Sequence, residues 1–486
     1  MSSCRRYARA SFVQVLQIAL VGVVLAQAQS FKVLYKFGTE SGDPALPSGN
    51  IVQGRDGALY TTSYSGGLQN SGTVFKITQS GKMRVLHHFC SLQNCADGSG
   101  PVGGLMLRPD GHFLGTTQTG GRYGSGTIFD ITQTGEIHVL YDFSGGTDGA
   151  YPTAPPVLGP DGAFYGTTWE GGGVSSCGSI YKIRNSGAVY GGFQKLHEFD
   201  YWDGCNSTSS LTLGADGNFY GTTNSGGSAG YGVAFEFSPS GKITLLHEFQ
   251  GVGDGYNPDG ALVQGKDGNF YGTTRGVGTP YGGTVFRIRS DDDQLEVLHD
   301  LGAPADGAWL IGTVMQGSDG SFYGAAEQGG DMNCADGQGC GTLFQVTSDG
   351  RYTVLHNFDN TSGDWADTTP FQHTSGRLYG DTYWGGDTEG LCDNSGCGVF
   401  YSMDLALPSF VSVVPARAVP GGKVQILGQG FTPSTMVSFN GIPAVTTIVT
   451  GSYLWAVVPD GATSGLVTVT TSAGALTSNT QFVVAR

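Results

Sequence analysis

Seven aspartates recur in one register of this sequence, and carboxylates at a fixed repeat position can be gathered around one point. Asp43, Asp97, Asp148, Asp203, Asp254 and Asp306 each stand 13 residues before an Asp-Gly pair, and Asp364 stands 11 before Ser375-Gly376. If the intervening segments radiate as the blades of a ring, the loops carrying these residues open on one face. Seven carboxylates would then surround one mouth of a central channel and could receive a cation or a polar ligand. Oxygen-only ligands suit Ca2+. The competing reading is that each Asp caps its own turn by accepting backbone N–H bonds.

Other residue types invite the same weighing. His87, His197, His247, His299 and His356 occupy one repeat position that Tyr35 and Tyr141 also fill. Exchange of His for Tyr points to packing and a hydrogen bond, not to catalysis. Trp169, Trp202, Trp309 and Trp384 fall in loops expected on the Asp face, where aromatic rings suit stacking on sugars or packing at a loop base. Asp331 and Asn333 with Asp336 resemble a calcium loop, one residue too long for the familiar spacing. Glu170, Glu327 and Asp381 are loop carboxylates that a glycosidase or lyase could use, but such a pair is defined by a spatial separation that sequence hides. Neither an arginine cluster of the sialidase type nor Trp-docking repeats of quinone-dependent dehydrogenases occur.

The elements that must position these residues are repeats. The phrase D-G-x-F-Y-G-T-T-x-x-G-G, then G-T-V-F-x-I, then V-L-H-x-F returns seven times, with Asp-Gly anchors at Asp56, Asp110, Asp161, Asp216, Asp267 and Asp319 and Ser375-Gly376 in the seventh slot. A period near fifty residues marks a solenoid, propeller or array. Each unit holds four short runs rich in β-branched and aromatic residues, bounded by Gly, Asp and Pro, which is the strand signature. Four antiparallel strands repeated radially form a propeller blade. The seventh unit ends at Val399-Phe400-Tyr401 without a fourth run, and the missing run is Val33-Leu34-Tyr35-Lys36-Phe37. The expected fold is therefore all-β: a seven-bladed propeller over residues 31–404, closed by an N-terminal strand that covers an otherwise unpaired edge.

Composition places the chain outside the cytoplasm. Arg5, Arg6 and Arg9 precede an apolar run and Ala26-Gln27-Ala28, so residues 1–28 read as a signal peptide. The run is too short for a comfortable membrane span, and no later stretch is long enough. The net charge is −16, and loss of three arginines with the leader makes it more acidic, which disfavours nucleic acid and anionic membranes. Eight cysteines follow the leader. In an exported chain an even number implies disulfides. Nearest-neighbour pairing gives Cys90–Cys95, Cys334–Cys340 and Cys392–Cys397, leaving Cys177–Cys205.

Residues 408–486 lose the repeat and alternate as short strands, which fits a small immunoglobulin-like β-sandwich. Gly428-Gln429-Gly430-Phe431, Val437-Ser438-Phe439-Asn440-Gly441 and Val458-Pro459-Asp460-Gly461-Ala462 resemble the IPT/TIG family, which implies an extracellular spacer or recognition module. Phe164-Tyr165-Gly166-Thr167-Thr168 and Gly283-Thr284-Val285-Phe286 resemble the GloVer-type tandem repeats of exported bacterial proteins. That resemblance implies an exported propeller without an established activity. The chain departs from the surface-anchoring tail often found there: it ends at Arg486 with no apolar tail. The expectation is a secreted or cell-surface monomer that binds a glycan or protein ligand on the long-loop face. A carbohydrate-active enzyme and a purely structural surface protein are the alternatives.

Overall fold

The computed structural model describes residues 29–184, 192–276, 282–302, 304–334, 337–387, 392 and 395–485. The leader read at residues 1–28 lies outside them. Seven antiparallel sheets of at least four strands make the ring, and nearly all regular structure is β. The seventh blade consists of Phe371–Gln372, Leu378–Thr382, Val399–Asp404 and, as its outer strand, Ser30–Lys36. Phe31 pairs Met403 and Tyr35 pairs Phe400 antiparallel. The ring thus closes through the N-terminal strand.

Each part of the repeated phrase has a structural cause. The F-Y-G-T-T strand is buried end to end in blades such as Phe164–Thr168 and Phe219–Thr223, because it is flanked by other strands on both edges and by neighbouring blades on both faces. In the Asp-Gly turn the carboxylate takes the N–H two residues on and the Tyr hydroxyl of the next strand. Asp267 accepts from Asn269 N at 3.2 Å and from Tyr271 Oη at 2.7 Å, and Asp56, Asp216 and Asp319 repeat the pair. In the seventh blade, Ser375 N donates to His373 Nδ1 at 3.0 Å instead, and the His373 ring reaches the Gly57 carbonyl across the closing seam at 3.2 Å.

The V-L-H phrase contains a β-bulge. Register slips between Val85 and His87, and at the matching place in the outer strand of every blade, so that the leucine has no partner across the ladder. Its carbonyl turns toward the next blade. There a Gly at positive φ receives it: a Cβ on Gly135 (φ +101°) would lie 2.4 Å from the Leu86 carbonyl oxygen.

All four expected disulfides are formed: Cys90–Cys95, Cys177–Cys205, Cys334–Cys340 and Cys392–Cys397. No helix among the described residues is long and apolar enough to cross a membrane.

The C-terminal unit is an Ig-like β-sandwich whose core contains Val424, Ile426, Val437, Phe439, Leu454 and Val467. It is docked on the ring, not held away as a spacer. Arg55, beside the first Asp-Gly turn, places its guanidinium 4.7 Å from the Tyr453 ring centre and 5.1 Å from that of Trp455. Its Nε donates to Gln425 at 2.7 Å, and Gln425 donates to the Arg108 carbonyl at 2.9 Å. Further bonds reach the fourth blade (Arg417 to the Ala215 carbonyl) and the sixth (Asn479 to the Gln316 carbonyl). Phe410, Val411, Val414 and Leu427 face the inner strands across a cavity of about 440 Å³ and floor the channel on this side.

Candidate ligand-binding site

On the opposite, long-loop face the channel opens into a cavity of about 670 Å³. Two repeat positions build its wall. One is the residue directly after the G-T-T strand, where the chain leaves the sheet at the channel rim. Tyr64, Trp169, Asn224, Arg275, Glu327 and Tyr383 hold this position in six blades and all line the cavity. The other lies eight residues before each Asp-Gly or Ser-Gly anchor, just ahead of the innermost strand. Ser48, Val102, Thr153, Thr208, Asp259, Ile311 and Asp367 hold it, and all seven line the cavity. The scaffold around these positions is nearly constant, and the positions themselves are not.

Charge on this wall is lopsided. Blades one to four contribute hydroxyl, amide, aromatic and apolar groups. Blades five to seven contribute Asp259, Arg275, Glu327 and Asp367. Glu327 is 2 % exposed and its Oε2 has no hydrogen-bond partner. Burial pushes its carboxyl up to about 7, with Asp259 and Asp364 adding repulsion and Arg275 pulling the other way. Asp259 is likewise raised by burial, to about 6, although Asn224 Nδ2 donates to it. Asp367 is raised well above the carboxylate range by burial and by the charges of Asp381 and Glu327, and its Oδ1 has no partner. The Arg275 guanidinium lies over Trp309, 4.9 Å from the ring centre.

Asp381 stands just behind this wall. In blades two to five its position is a threonine whose hydroxyl donates to a carbonyl of the next blade's inner loop, as Thr222 does to Gly260 at 2.9 Å and Thr273 to Gly312 at 2.8 Å. Asp381 cannot donate when ionised. It accepts from Thr368 Oγ1 at 2.6 Å, leaves Oδ2 without a partner, and is raised to about 7 by burial.

The aspartates of the repeated register lie elsewhere. None of Asp43, Asp97, Asp148, Asp203, Asp254, Asp306 and Asp364 lines the channel cavity. Six belong to the outer edge, turned into their own loops beside the His or Tyr of the outermost strand. Tyr35 donates to Asp43 at 3.0 Å and Tyr141 to Asp148 at 2.8 Å. His87 meets Asp97 at 3.0 Å, His197 meets Asp203 at 2.8 Å, and His247 meets Asp254 at 2.9 Å; His299 stands 3.6 Å from Asp306. Backbone N–H groups complete the cap, as Ser91 and Leu92 do for Asp97. Asp364 departs from this pattern. Asp359 caps the seventh loop, accepting from Thr361 and Ser362, while Asp364 keeps an unpartnered Oδ1 and is raised by burial to about 6.

Of the tryptophans singled out in the sequence, Trp169 lines the cavity and Trp309 backs Arg275. Trp202 is 69 % exposed on a loop outside the cavity, and Trp384 packs edge-on against Tyr383, 5.1 Å between ring centres. Trp365 lines the cavity as well. Asp331 accepts from Asn333 within its own turn, and Asp336 lies outside the described residues. Among the described residues, no group of three or more His, Cys, Asp or Glu side chains converges as a metal site.

Comparison with known proteins agrees with this architecture at the level of sequence families. The Gloeobacter/Verrucomicrobia repeat matches residues 23–214 and 206–430, and the IPT/TIG domain matches residues 408–484. No curated protein matches the sequence. Among solved structures, PorZ of Porphyromonas gingivalis, a surface component of the type-IX secretion system, aligns at TM-score 0.45 and 14 % identity over 92 % of this chain and 60 % of its own. XC5397 of Xanthomonas campestris, a gluconolactonase, aligns at TM-score 0.37 and 12 % identity over 79 % of this chain and 91 % of its own. These likenesses are too distant to bear on function, and the propeller rests on the sheets described above. The chain belongs to the Gloeobacter/Verrucomicrobia repeat family and carries a C-terminal IPT/TIG domain.

Proposed function

We propose that the protein is an exported binding protein whose propeller receives a glycan or another polar extracellular ligand in the channel mouth on the long-loop face. One observation carries this reading. The two positions that vary from blade to blade within a nearly constant repeat converge on one cavity. A scaffold that holds its framework fixed while its rim residues differ is built for recognition. Aromatic rings from three blades (Tyr64, Trp169, Tyr383) with hydroxyl and amide groups between them suit a sugar, which presents apolar ring faces and many hydroxyls. Four disulfides fit an oxidising, extracellular setting.

A glycan array, combined with a screen for hydrolysis and lyase products, tests the reading. Retention without turnover, abolished by Trp169→Ala or Tyr383→Ala, is the expected result. Binding that survives both changes would place the site elsewhere.

The second reading is a carbohydrate-active enzyme. It draws on Glu327 and Asp367, whose raised carboxyls hold protons toward neutral pH as a general acid must, with Asp259, raised less, as the partner carboxylate. Product release in the same screen, lost in Glu327→Gln, would favour it.

A further inference from the structure

We propose that the ligand of the channel mouth is cationic: an amine-bearing glycan whose ammonium groups are received by Glu327 and Asp367 while its rings stack on the aromatic rim. The inference rests on the proposed glycan site and adds the ligand's charge.

Three facts about the cavity carry it. First, the acid side chains are built in at a cost. Glu327 is almost wholly buried against the cavity, yet Oε2 finds no donor; Asp367 is half-buried there, and its buried Oδ1 likewise has no partner among the described residues. Buried polar atoms are nearly always satisfied, and an unpaired carboxylate is among the costliest to leave bare. A partner brought by the ligand removes that cost. Second, the fold does not supply the partner itself. Among the described residues, Arg275 is the one basic residue lining the cavity; it rests on Trp309 and is felt by both Asp259 and Glu327. One guanidinium, felt by Asp259 and Glu327, against three acids on the wall leaves it short of positive charge. Third, the acids are spread along the wall of blades five to seven and do not converge as a metal site. A point ion cannot pair with all of them. An extended molecule with several ammonium groups can, and Trp169, Trp365, Tyr383 and Tyr64 give its rings and cations faces to lie on.

The groups facing Glu327 are Asp259, Asp364, Asp367 and Arg275, and those facing Asp367 are Glu327, Asp381 and Tyr383. All the carboxyls among them lean toward the protonated form, so a cation that binds the ionised form must displace protons.

The experiment uses the exported chain and three tetrasaccharides in calorimetry: glucosamine tetramer, its N-acetylated neutral counterpart, and tetragalacturonate. At pH 7 the glucosamine tetramer should bind at least about tenfold tighter than the neutral one, and tetragalacturonate should not bind. At pH 5 the cationic probe should weaken about tenfold although its own charge is greater, because the wall is then protonated. Glu327→Gln and Asp367→Asn should each cost about tenfold while leaving the melting temperature intact or raised. Since each changes one of 40 acidic residues, general attraction of a polycation to an acidic surface would survive them. If the neutral or acidic tetramer binds as well as the cationic one, or the two variants bind it unchanged, the charge assignment falls and the glycan site stands. If no tetramer binds and the array is blank, the glycan site falls with it.

Discussion

Ionised Glu327 is a cost to the folded state, and the sign of that cost can be worked out. Its folded pKa, about 7, lies above the ordinary glutamate value, so the folded protein holds a proton that the unfolded chain has released. Stability therefore falls as pH rises from about 4.5 to 7, and the penalty is complete above 7. Glu327→Gln removes it. The variant should be more stable than the parent at pH 8, by on the order of 3 kcal/mol at most, and so melt higher, and should match it at pH 4.5. Paired thermal scans cancel the other titrating groups, including His356 and His373, whose burial pulls them down to about 4 and whose slope has the opposite sign. Equal shifts at both pH values would refute the unpaired-carboxylate account. Asp148→Asn should behave differently. It weakens a cap that takes bonds from Tyr141 and Ser144, so urea unfolding should show a loss of about 1–2 kcal/mol, with ligand binding unchanged.

Element by element, the repeat was open to reading and its site was not. Turn, strand and hairpin signals recur with the same residue types, so Asp-Gly turns, the F-Y-G-T-T strand and the missing fourth strand of the last blade all follow from local chemistry. The register of Asp43 to Asp306 was equally visible. A constant position serves the constant part of the structure, and here that part is the loop cap on the outer His or Tyr. The proposed binding wall lies at positions without a constant residue: Tyr64, Trp169, Asn224, Arg275, Glu327 and Tyr383 share no chemistry that periodicity could detect. Their signal was the variation itself, directly after an unvarying strand. Asp381 gave a second sign, as an acid where five blades have threonine. Two predictions belong at this scale. Gly135→Ala forces a side chain into the Leu86 carbonyl at a left-handed φ and should cost about 2 kcal/mol or more by chemical denaturation. A stability equal to the parent would show that the bulge contact is not required. Deleting residues 30–36 exposes the edge of Val399–Asp404; the product should aggregate or melt well below the parent, and a monomer of unchanged melting temperature would refute closure by this strand.

At the scale of the whole molecule, the C-terminal domain is the floor of the channel and not a tethered spacer. Sequence named its family, but docking depends on Arg55, Gln425, Tyr453 and Trp455, which come from two unrelated segments and carry no shared pattern. Arg55→Ala removes two aromatic contacts and two hydrogen bonds. Limited proteolysis should then cut the 405–409 linker faster, with the propeller itself still resistant; cutting at the parental rate would show that Arg55 does not hold the domain.

The closing strand also sets an order of events. Within the ring, residues 30–36 come before every other strand in the chain, and their partner at Val399–Asp404 is made only after six complete blades. Until then the first segment waits beside a growing open sheet, and the ring has two sticky ends. The floor domain follows immediately, and its bonds reach the first, second, fourth and sixth blades. Those anchor points come into register only when the circle is complete. Seating of the last domain is thus a built-in inspection of the ring: with the circle unshut, Tyr453 and Leu427 keep their packing on the first two blades, but the bonds to the fourth and sixth cannot all form with it.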